Sequence, residues 1–388
     1  MVSVVRRSVV CLTILLFNIL FVSSRMGFLH KPNRVLETDH FHYIEMAKGS
    51  EGRKELAREP PYCWRILVPV AARLLMRAGL KLNLAFFLIT NLSLLGFLMV
   101  IDLELEALGF DQGLRVLGLA LLGLTQGAVR WFEYQYWMTD PTSLFAVALG
   151  LRLLRRDSFL GLALLSEASC LVRENGILLF LPFFVRTLRR SSLKKSLLRT
   201  FLVAGGPIAT LVLIRLLVPP SAPRSLLASV GENLAFRWRH LGDNEAYTLT
   251  VGSLGVLFPL LFLFPRSIPA WFRRHSDLGV FVGSVVATLL ISNNTERCLA
   301  YALPVLLPAA LGNLREFLGR TAFPRSVGFT AVLGLQALFY SEQRFGEMGV
   351  SLYQPTNLAV VASMLLFWVG CEAMLHRAGT PSHPDRPE

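Results

Sequence analysis

The sequence predicts an all-α polytopic membrane protein with about twelve transmembrane helices and an interfacial amphipathic helix in the first outer loop. Hydrophobic residues make up 53% of the 388-residue chain and charged residues only 17%, fewer than soluble domains usually carry. Apolar runs recur from end to end, and a helix needs about 20 apolar residues to cross a membrane. No run shows the two-residue alternation of a barrel strand. The predicted transmembrane segments cover residues 8–24, 82–103, 114–130, 140–154, 158–172, 175–187, 200–218, 251–265, 277–292, 299–314, 327–341 and 357–375.

The formal net charge of +13 is concentrated between these segments. Basic clusters at 152–156, 186–199, 266–274 and 315–325 each follow an even-numbered helix, so all of them lie on one side of the membrane. The excess of Lys and Arg in cytoplasmic loops identifies that side as the cytoplasm. Both termini are then cytoplasmic, and residues 25–81 form an outer loop. Charge placed in this way indicates orientation among membrane lipids, and no nucleic-acid partner is expected.

We divide the chain into a transmembrane module over residues 1–310, C-terminal transmembrane helices over 311–378 and a Pro-rich, disordered cytoplasmic tail over 379–388. Residues 1–24 also resemble a cleavable signal peptide, and both interpretations place the next loop outside. The five cysteines show neither metal-ligand spacing nor a disulfide framework.

An unusual group of polar residues, Asp39, His40 and His42, lies in the first outer loop. A carboxylate at the membrane surface can accept a proton from a hydroxyl while nearby cations hold a phosphate leaving group. The alternative is that Thr38 or Asp39 caps a short helix that begins at His40. The two histidines are two residues apart and point in different directions on a helix, which disfavours a metal pair. They remain candidates for a supporting role, and Asp39 could still hold Mg²⁺ or Mn²⁺ through water.

The amphipathic helix of the same loop is predicted over residues 64–77. Arg65, Arg73 and Arg77 share about a third of its circumference at 100° per residue, and apolar side chains occupy much of the rest. Fourteen residues are too few to span the bilayer, so this helix is expected to lie in the membrane interface.

Two further outer loops contain ionisable residues close to apolar segments. Asp140 precedes a proline and is either a helix cap or a second active-site carboxylate. Arg173 and Glu174 join two short helical arms and are expected below the outer surface, with Glu167 one or two turns deeper. Ionisable groups at such depth form either a structural ion pair, here Arg173 with Glu174 or Glu167, or a functional site.

The fifth outer loop places Glu296 and Arg297 before a Pro-containing apolar segment. An arginine at a helix end commonly extends to lipid headgroups, whereas a planar guanidinium can also bind two phosphate oxygens. Walker A, GxGxxG, GxSxG and HExxH motifs are absent from the sequence, which disfavours nucleotide-driven transport and zincin chemistry. An outward-facing enzyme of this kind needs an energised donor that is already in the membrane.

The chain resembles the GT-C superfamily of multi-pass glycosyltransferases, which includes mannosyl- and arabinosyltransferases that use lipid phosphates. The resemblance rests on the acid after the first helix, on the segments PYCWRILVP (61–69) and LVRENG (171–176), and on ERCLAYALP (296–304). It implies a GT-C-like fold over residues 1–310, a polyprenyl-phosphate sugar donor and inverting transfer on the outer face. The acceptor would be a glycan, lipid or protein.

In the same resemblance Asp39 is the catalytic base, and Arg65, Arg173 and Arg297 are candidates for binding the donor phosphate. Members often carry two adjacent acids in the first loop, whereas here His40 follows Asp39, so that Asp140 or Glu174 would have to be the partner acid. The expected location is the bacterial cytoplasmic membrane, with the active site facing outward, or the endoplasmic reticulum membrane in a eukaryote.

A secondary transporter or flippase is the main alternative, because twelve helices in a chain of this length is a common transporter size. Transporters bind substrate near the midplane between matched repeats, and the two halves of this sequence show no such symmetry. A non-catalytic scaffold is a third option, for which the substitution Asp39→Asn would have no effect.

Overall fold

The structure, a computed structural model, describes residues 2–30, 39–218, 226–241, 245–290, 292, 294–321, 323–342 and 355–378. Within these ranges the chain is helical and contains no strand, which confirms the predicted all-α class. Thr38 and the predicted disordered tail at 379–388 lie outside the described residues.

Nineteen α-helices form the described architecture. They are α1 (Val2–Met26), α2 (His40–Lys48), α3 (Lys54–Ala57), α4 (Leu67–Arg77), α5 (Leu82–Ala107), α6 (Gln112–Gly123), α7 (Trp131–Tyr134), α8 (Asp140–Arg155), α9 (Phe159–Val172), α10 (Phe180–Leu188), α11 (Leu193–Leu217), α12 (Leu226–His240), α13 (Leu257–Leu261), α14 (Ser267–Arg274), α15 (Ser276–Ala287), α16 (Thr295–Ala300), α17 (Leu303–Arg320), α18 (Arg325–Glu342) and α19 (Pro355–Arg377).

Four of the described helices are long and apolar enough to cross a membrane: Val5–Met26, Leu82–Ala107, Leu193–Leu217 and Leu358–Arg377. Their length and composition indicate a membrane protein. Helix is present in each of the twelve apolar segments, but several helices are shorter than the roughly 20 residues that a crossing needs. The number of crossings therefore stays a prediction.

The prediction of one continuous helix over 251–265 is wrong. A π-helical turn ends at Gly252, and α13 begins at Leu257. Gly255, between them, has φ +57°, and a Cβ at this position would lie 2.2 Å from the side-chain oxygen of Gln336. The same oxygen accepts a hydrogen bond of 2.8 Å from the backbone N–H of Val256. The break thus exists because glycine permits the left-handed backbone and a buried amide binds the freed N–H group.

Among the described residues, two of the three apolar clusters contain most of the buried apolar side chains. The larger contains buried residues from α1, α5, α6, α8, α13 and α17. The smaller fixes the first outer loop: Tyr43 and Ile44 of α2 and Val68 of α4 pack in the same cluster as Phe86 at the start of α5. Burial of each large apolar side chain contributes about 1.5–3 kcal/mol, so α2 is held firmly beside the helix bundle.

The amphipathic helix begins later than predicted, at Leu67, after a 3₁₀ turn over Tyr62–Trp64. Proline cannot donate a backbone hydrogen bond, so Pro69 is accommodated most easily in the first turn of a helix, whereas a start at Trp64 would place it in the second turn. Arg65 consequently precedes the helix and is buried, so its predicted place on one face with Arg73 and Arg77 is wrong. The location of α4 in a membrane interface stays a prediction.

Arginines neutralise the acids at the C-terminal end of α5. Asp102 accepts a hydrogen bond of 2.8 Å from Arg115, and Glu104 is paired with Arg152 at 2.8 Å and Arg155 at 2.9 Å. These pairs allow an otherwise apolar helix to end in acidic residues.

The predicted boundary at residue 310 falls inside α17, so this helix belongs to both predicted parts.

Candidate functional site

Three acids and three arginines from five parts of the chain meet beside α2. They are Asp39 before α2, Arg65 before α4, Asp140 at the start of α8, Arg173 and Glu174 after α9, and Arg297 in α16. Ion pairs link them in two groups, Asp39–Arg297–Asp140–Arg173 and Arg65–Glu174. We call this set the charged cluster.

Arg297 lies at the centre of the charged cluster. Its Nη1 donates to Asp39 Oδ2 at 2.9 Å, and its Nη2 donates to Asp140 Oδ2 at 2.7 Å. The start of α16 is fixed by Asn294, whose side chain accepts a hydrogen bond of 3.1 Å from the Arg297 backbone N–H. The guanidinium therefore binds inward to two carboxylates, which corrects the interpretation that it extends to lipid headgroups.

Asp140 is enclosed by guanidiniums. Arg173 Nη1 donates to Asp140 Oδ1 in addition to the bonds from Arg297, and the Asp140 side chain has no exposed surface. No side-chain hydrogen bond caps α8, so the capping interpretation of Asp140 is wrong. The carboxylate instead fixes the positions of two arginines.

Asp39 occupies the N-cap position of α2, but its side chain makes no capping bond. Its Oδ1 accepts a hydrogen bond of 3.0 Å from Tyr62, and its Oδ2 accepts from Arg297. The ring of His42 stacks on Tyr62 with centroids 4.2 Å apart, and His42 Nδ1 lies 2.9 Å from the Leu56 carbonyl oxygen. His42 thus supports the tyrosine that bonds to Asp39.

Arg65 forms the second group with Glu174. Arg65 Nε donates to Glu174 Oε2 at 3.1 Å, and Arg65 Nη1 donates to the Tyr43 hydroxyl at 3.0 Å. Arg65 also lies over the Tyr62 ring, with its guanidinium carbon 5.6 Å from the centroid. Tyr62 therefore connects Arg65 to Asp39, because its ring contacts the guanidinium and its hydroxyl donates to the carboxylate.

Sequence reasoning did not identify Tyr43 and Tyr62. Tyr43 is four residues after Asp39, which places both on one face of a helix, and this spacing was the available signal. Tyr62 lies in the aromatic segment before α4, where an interfacial location explained it equally well.

The charged cluster controls the ionisation of its acids. Burial alone would raise the pKa of Asp39, but the positive charges of Arg297, Arg173 and Arg65 outweigh it and hold the pKa well below the ordinary value. For Glu174, burial is again the largest single effect and raises the pKa, but Arg65, Arg173 and a backbone hydrogen bond together lower it below the ordinary value. The pKa of Tyr62 is raised, first by burial and then by the negative charge of Asp39. The hydroxyl therefore stays protonated and remains a donor to an ionised Asp39.

Four of the predicted candidates are not members of the charged cluster: His42, which supports Tyr62 as described above, and Glu167, Glu296 and His40. Glu167 is exposed on α9 and accepts a hydrogen bond of 3.2 Å from Thr210. Burial, together with the charge of Glu245, raises the pKa of Glu296 to about 7. His40 is buried against Phe41 and Trp137, and burial lowers its pKa to about 4.

The side chains of the charged cluster do not fit a bound divalent cation. Within the described ranges, no group of three or more His, Cys, Asp or Glu residues is arranged to hold a metal ion. The guanidinium of Arg297 lies between Asp39 and Asp140 and donates to both, where a bridging cation would otherwise bind.

The accessible edge of the charged cluster is formed by acids and by Arg173. The side chains of Asp39 and Glu174 are each 22% exposed, whereas Asp140 is fully enclosed. Arg173 is bonded only through Nη1, so its other nitrogens have no acceptor among the described residues. A guanidinium has five N–H donors, which leaves Arg173 with donors for an anionic ligand.

No protein-family model matches the sequence, and no curated protein matches it. The chemistry of the site therefore follows from its geometry. A partly exposed carboxylate beside guanidiniums with unused donors can remove a proton from a hydroxyl while an adjacent phosphate is bound.

Proposed function

We propose that the protein is a membrane glycosyltransferase of the GT-C type, which transfers a sugar from a polyprenyl-phosphate donor to an acceptor hydroxyl with inversion. The observation that carries this proposal is the pairing of Asp39 with Arg297, beside Arg173 with its unused donors. In the proposed arrangement about twelve helices cross the membrane, and the charged cluster faces outward, opposite the basic loops.

The proposed reaction is a single displacement. The acceptor oxygen forms a bond to the anomeric carbon from the face opposite the phosphate, and Asp39 takes the hydroxyl proton. The bond between the anomeric carbon and the phosphate oxygen breaks, and polyprenyl phosphate leaves with the bonding electrons. Because the leaving phosphate gains one negative charge, Arg173 and Arg297 stabilise the transition state more than the bound donor.

The ionisation of Asp39 imposes an order on this reaction. A base held by Arg297 at a pKa well below its ordinary value accepts protons poorly. A donor phosphate that binds Arg173 and Arg297 competes with Asp39 for the guanidinium, so the pKa of Asp39 rises when the donor is in place. The donor is therefore expected to bind first and to activate the base that its own transfer requires.

The other acids of the charged cluster have positioning roles in this proposal. Asp140 keeps the guanidiniums of Arg173 and Arg297 side by side, and Glu174 holds Arg65 against Tyr43. None of these acids needs to contact the acceptor. Asp39 is the single catalytic carboxylate in this account.

The test is a transfer assay with purified protein in lipid nanodiscs and a panel of radiolabelled polyprenyl-phosphate sugars. We expect Asp39→Asn to lower turnover by about 10²-fold or more, since general base catalysis contributes about 10²–10⁴-fold. Glu167→Gln is the matched control, because it neutralises an acid outside the charged cluster and should change turnover less than twofold.

The proposal fails if wild-type protein transfers sugar from no donor, or if Asp39→Asn retains full turnover. Flux of a polar or lipid-linked substrate across proteoliposomes, without transfer, would identify a secondary transporter or flippase instead. Equal loss in Asp39→Asn and Glu167→Gln would indicate general damage and would remove the assignment of Asp39.

A further inference from the structure

A second polar cavity lies at the other end of the helix bundle. It has a volume of about 340 Å³ and is lined by side chains at the C-terminal ends of α5, α8 and α10 and at the start of α15. Asp140 begins α8 and Arg155 ends it, so at 1.5 Å per residue the cavity lies roughly 22 Å from the charged cluster. The volume is within the range of about 300–1,000 Å³ that is common for small-ligand sites. We call this space the arginine cavity.

Positive charge exceeds negative charge around the arginine cavity. The charged groups that line it are Arg152, Arg155, Arg156 and Arg186, with Glu104 and Asp277. Four guanidiniums therefore face two carboxylates, and His275 is the remaining titratable side chain of the lining. Arg152, Glu104 and Asp277 are the buried charged groups of the lining. The excess positive charge therefore lies on the partly exposed Arg155 and Arg186 and on the exposed Arg156, where it can attract an anion.

The pairing within the cavity leaves donors unused. Glu104 is shared between Arg152 and Arg155, each through a single nitrogen at 2.8 and 2.9 Å. Arg186 uses its nitrogens on Asp277 at 3.3 Å, on Asp157 at 3.0 Å and on the Arg155 carbonyl oxygen at 3.0 Å. The unused donors therefore belong to Arg152, Arg155 and Arg156, and Arg156 has no ion pair within the described ranges. Arg152 and Glu104 are buried, whereas Arg156 is exposed, so the cavity runs from a buried wall to an open rim.

The electrostatics of Arg155 agree with an uncompensated site. Burial lowers the pKa of Arg155 below its ordinary value, and the repulsion from Arg186 and Arg152 adds to this effect, against the attraction of Glu104 and Asp277. An anion bound in the cavity would relieve that repulsion.

Apolar side chains form part of the lining itself, namely Ala107, Leu108 and Leu278, and exposed leucines are close to the lining arginines in sequence. Leu160 is 74% exposed four residues after Arg156, and Leu188 is 41% exposed two residues after Arg186. A ligand with a charged head and an apolar chain would contact both kinds of surface. Basic pockets between transmembrane helices bind anionic lipid headgroups in this way.

From these observations we propose that the arginine cavity binds a phosphate group, supplied by an anionic phospholipid headgroup or by free phosphate. The planar guanidiniums of Arg155 and Arg156 would grip its oxygens, since arginine matches phosphate geometry with two parallel hydrogen bonds. The site is separate from the charged cluster and does not depend on the proposed transferase activity.

The test measures phosphatidylglycerol binding to the full-length protein in neutral detergent by native mass spectrometry, with inorganic phosphate titrated calorimetrically in a second arm. We expect saturable binding to wild type and an affinity about fivefold lower in Arg156→Gln, from the usual contribution of one arginine near an anionic lipid. Arg155→Gln should weaken binding at least as much. Arg156 is exposed and has no ion pair in the part of the chain that the structure describes, so Arg156→Gln should fold even if Arg155→Gln does not.

The matched control is Arg325→Gln. This exposed arginine pairs with Asp111 at 3.2 Å near the same end of the bundle but does not line the cavity. Its loss should change the affinity less than twofold. Phosphatidylglycerol binding that inorganic phosphate does not replace identifies a lipid site, and binding of inorganic phosphate alone identifies a free-phosphate site.

Two results would overturn the inference. One is an equal loss of affinity in Arg156→Gln and Arg325→Gln, which would mean diffuse attraction to a basic surface. The other is the absence of saturable binding of either probe to wild-type protein.

Discussion

Removal of the charge on Asp140 should destabilise the fold more than removal of any exposed acid. The carboxylate has no exposed surface and accepts hydrogen bonds from Arg297 at 2.7 Å and from Arg173. In the variant Asp140→Asn the three arginines of the charged cluster face two acids. Each carboxylate oxygen of Asp140 accepts from a different arginine, so the amide NH₂ that replaces one oxygen would face a guanidinium donor.

The size of the effect follows from the burial of the pair. Stripping one partner from a buried ion pair costs about 3–5 kcal/mol, because the remaining charge is desolvated and unpaired. In the variant, Asp39 still pairs with Arg297, so one of the two arginines keeps a carboxylate partner. The expected loss therefore lies near the lower limit of this range. We therefore expect Asp140→Asn to lower the free energy of unfolding by about 3 kcal/mol.

The assay is reversible unfolding in mixed lipid–detergent micelles, with the free energy of unfolding extrapolated to zero denaturing detergent. Glu167→Gln is the control and should lie within about 0.5 kcal/mol of wild type, as exposed substitutions usually do. The double variant Asp140→Asn/Arg173→Gln removes an acid and a cation together, and should recover about 1–2 kcal/mol of the loss.

Stability of Asp140→Asn within 1 kcal/mol of wild type would refute the reasoning. So would a double variant whose loss equals the sum of the two single losses, since additivity would mean that Asp140 and Arg173 do not interact.

Three further predictions concern other parts of the molecule. Burial raises the pKa of Glu133 from its ordinary value of 4.5 to about 8. As the pH rises, the unfolded chain therefore loses this proton before the folded protein does. The free energy of unfolding of the wild type should consequently fall between these two pH values. The variant Glu133→Gln should remove that fall, which unfolding measured at pH 5 and pH 9 would detect; equal pH dependence in both proteins would contradict it. Gly255→Ala should lower the free energy of unfolding by about 1–3 kcal/mol, because this position has a left-handed backbone. Gly283→Ala is the control and should cost nothing measurable, because its added methyl group meets no atom within 4 Å. Equal shifts in the melting temperature of the two variants would contradict this prediction. Tyr62→Phe keeps the ring but removes the donor to Asp39, so transfer should fall about fivefold with stability changed by less than 1.5 kcal/mol; unchanged transfer would exclude a role for the hydroxyl.

Sequence reasoning found the members of the charged cluster because ionisable residues next to apolar segments are costly and need partners. It did not identify which acid pairs with which arginine. Asp39 and Arg297 are 258 residues apart, and no local pattern could show that a single guanidinium joins Asp39 to Asp140. The capping interpretation of Asp140 failed for the same reason, because a distant partner took the carboxylate.

The errors have geometric causes. Glu167 is six residues before Arg173, and at 100° per residue a helix turns it to a different side, where it meets α11. The predicted depth of Glu167 was therefore not enough to place it in the charged cluster, because its side chain lies on another side of the helix. Arg65 was assigned to α4, although Pro69 limits how early that helix can begin. The break at Gly255 depends on an amide from α18, which the local sequence does not contain.

The most direct measurement for the central claim is the affinity for polyprenyl phosphate, the donor without its sugar, in wild type and in Asp39→Asn. If Asp39 and the phosphate compete for Arg297, the neutral variant should bind about tenfold more tightly, as expected from loss of one charge-assisted hydrogen bond, while it loses turnover. Arg297→Gln should weaken the same binding. An affinity in Asp39→Asn that equals or falls below the wild-type value would mean that Asp39 and the donor phosphate do not compete for Arg297.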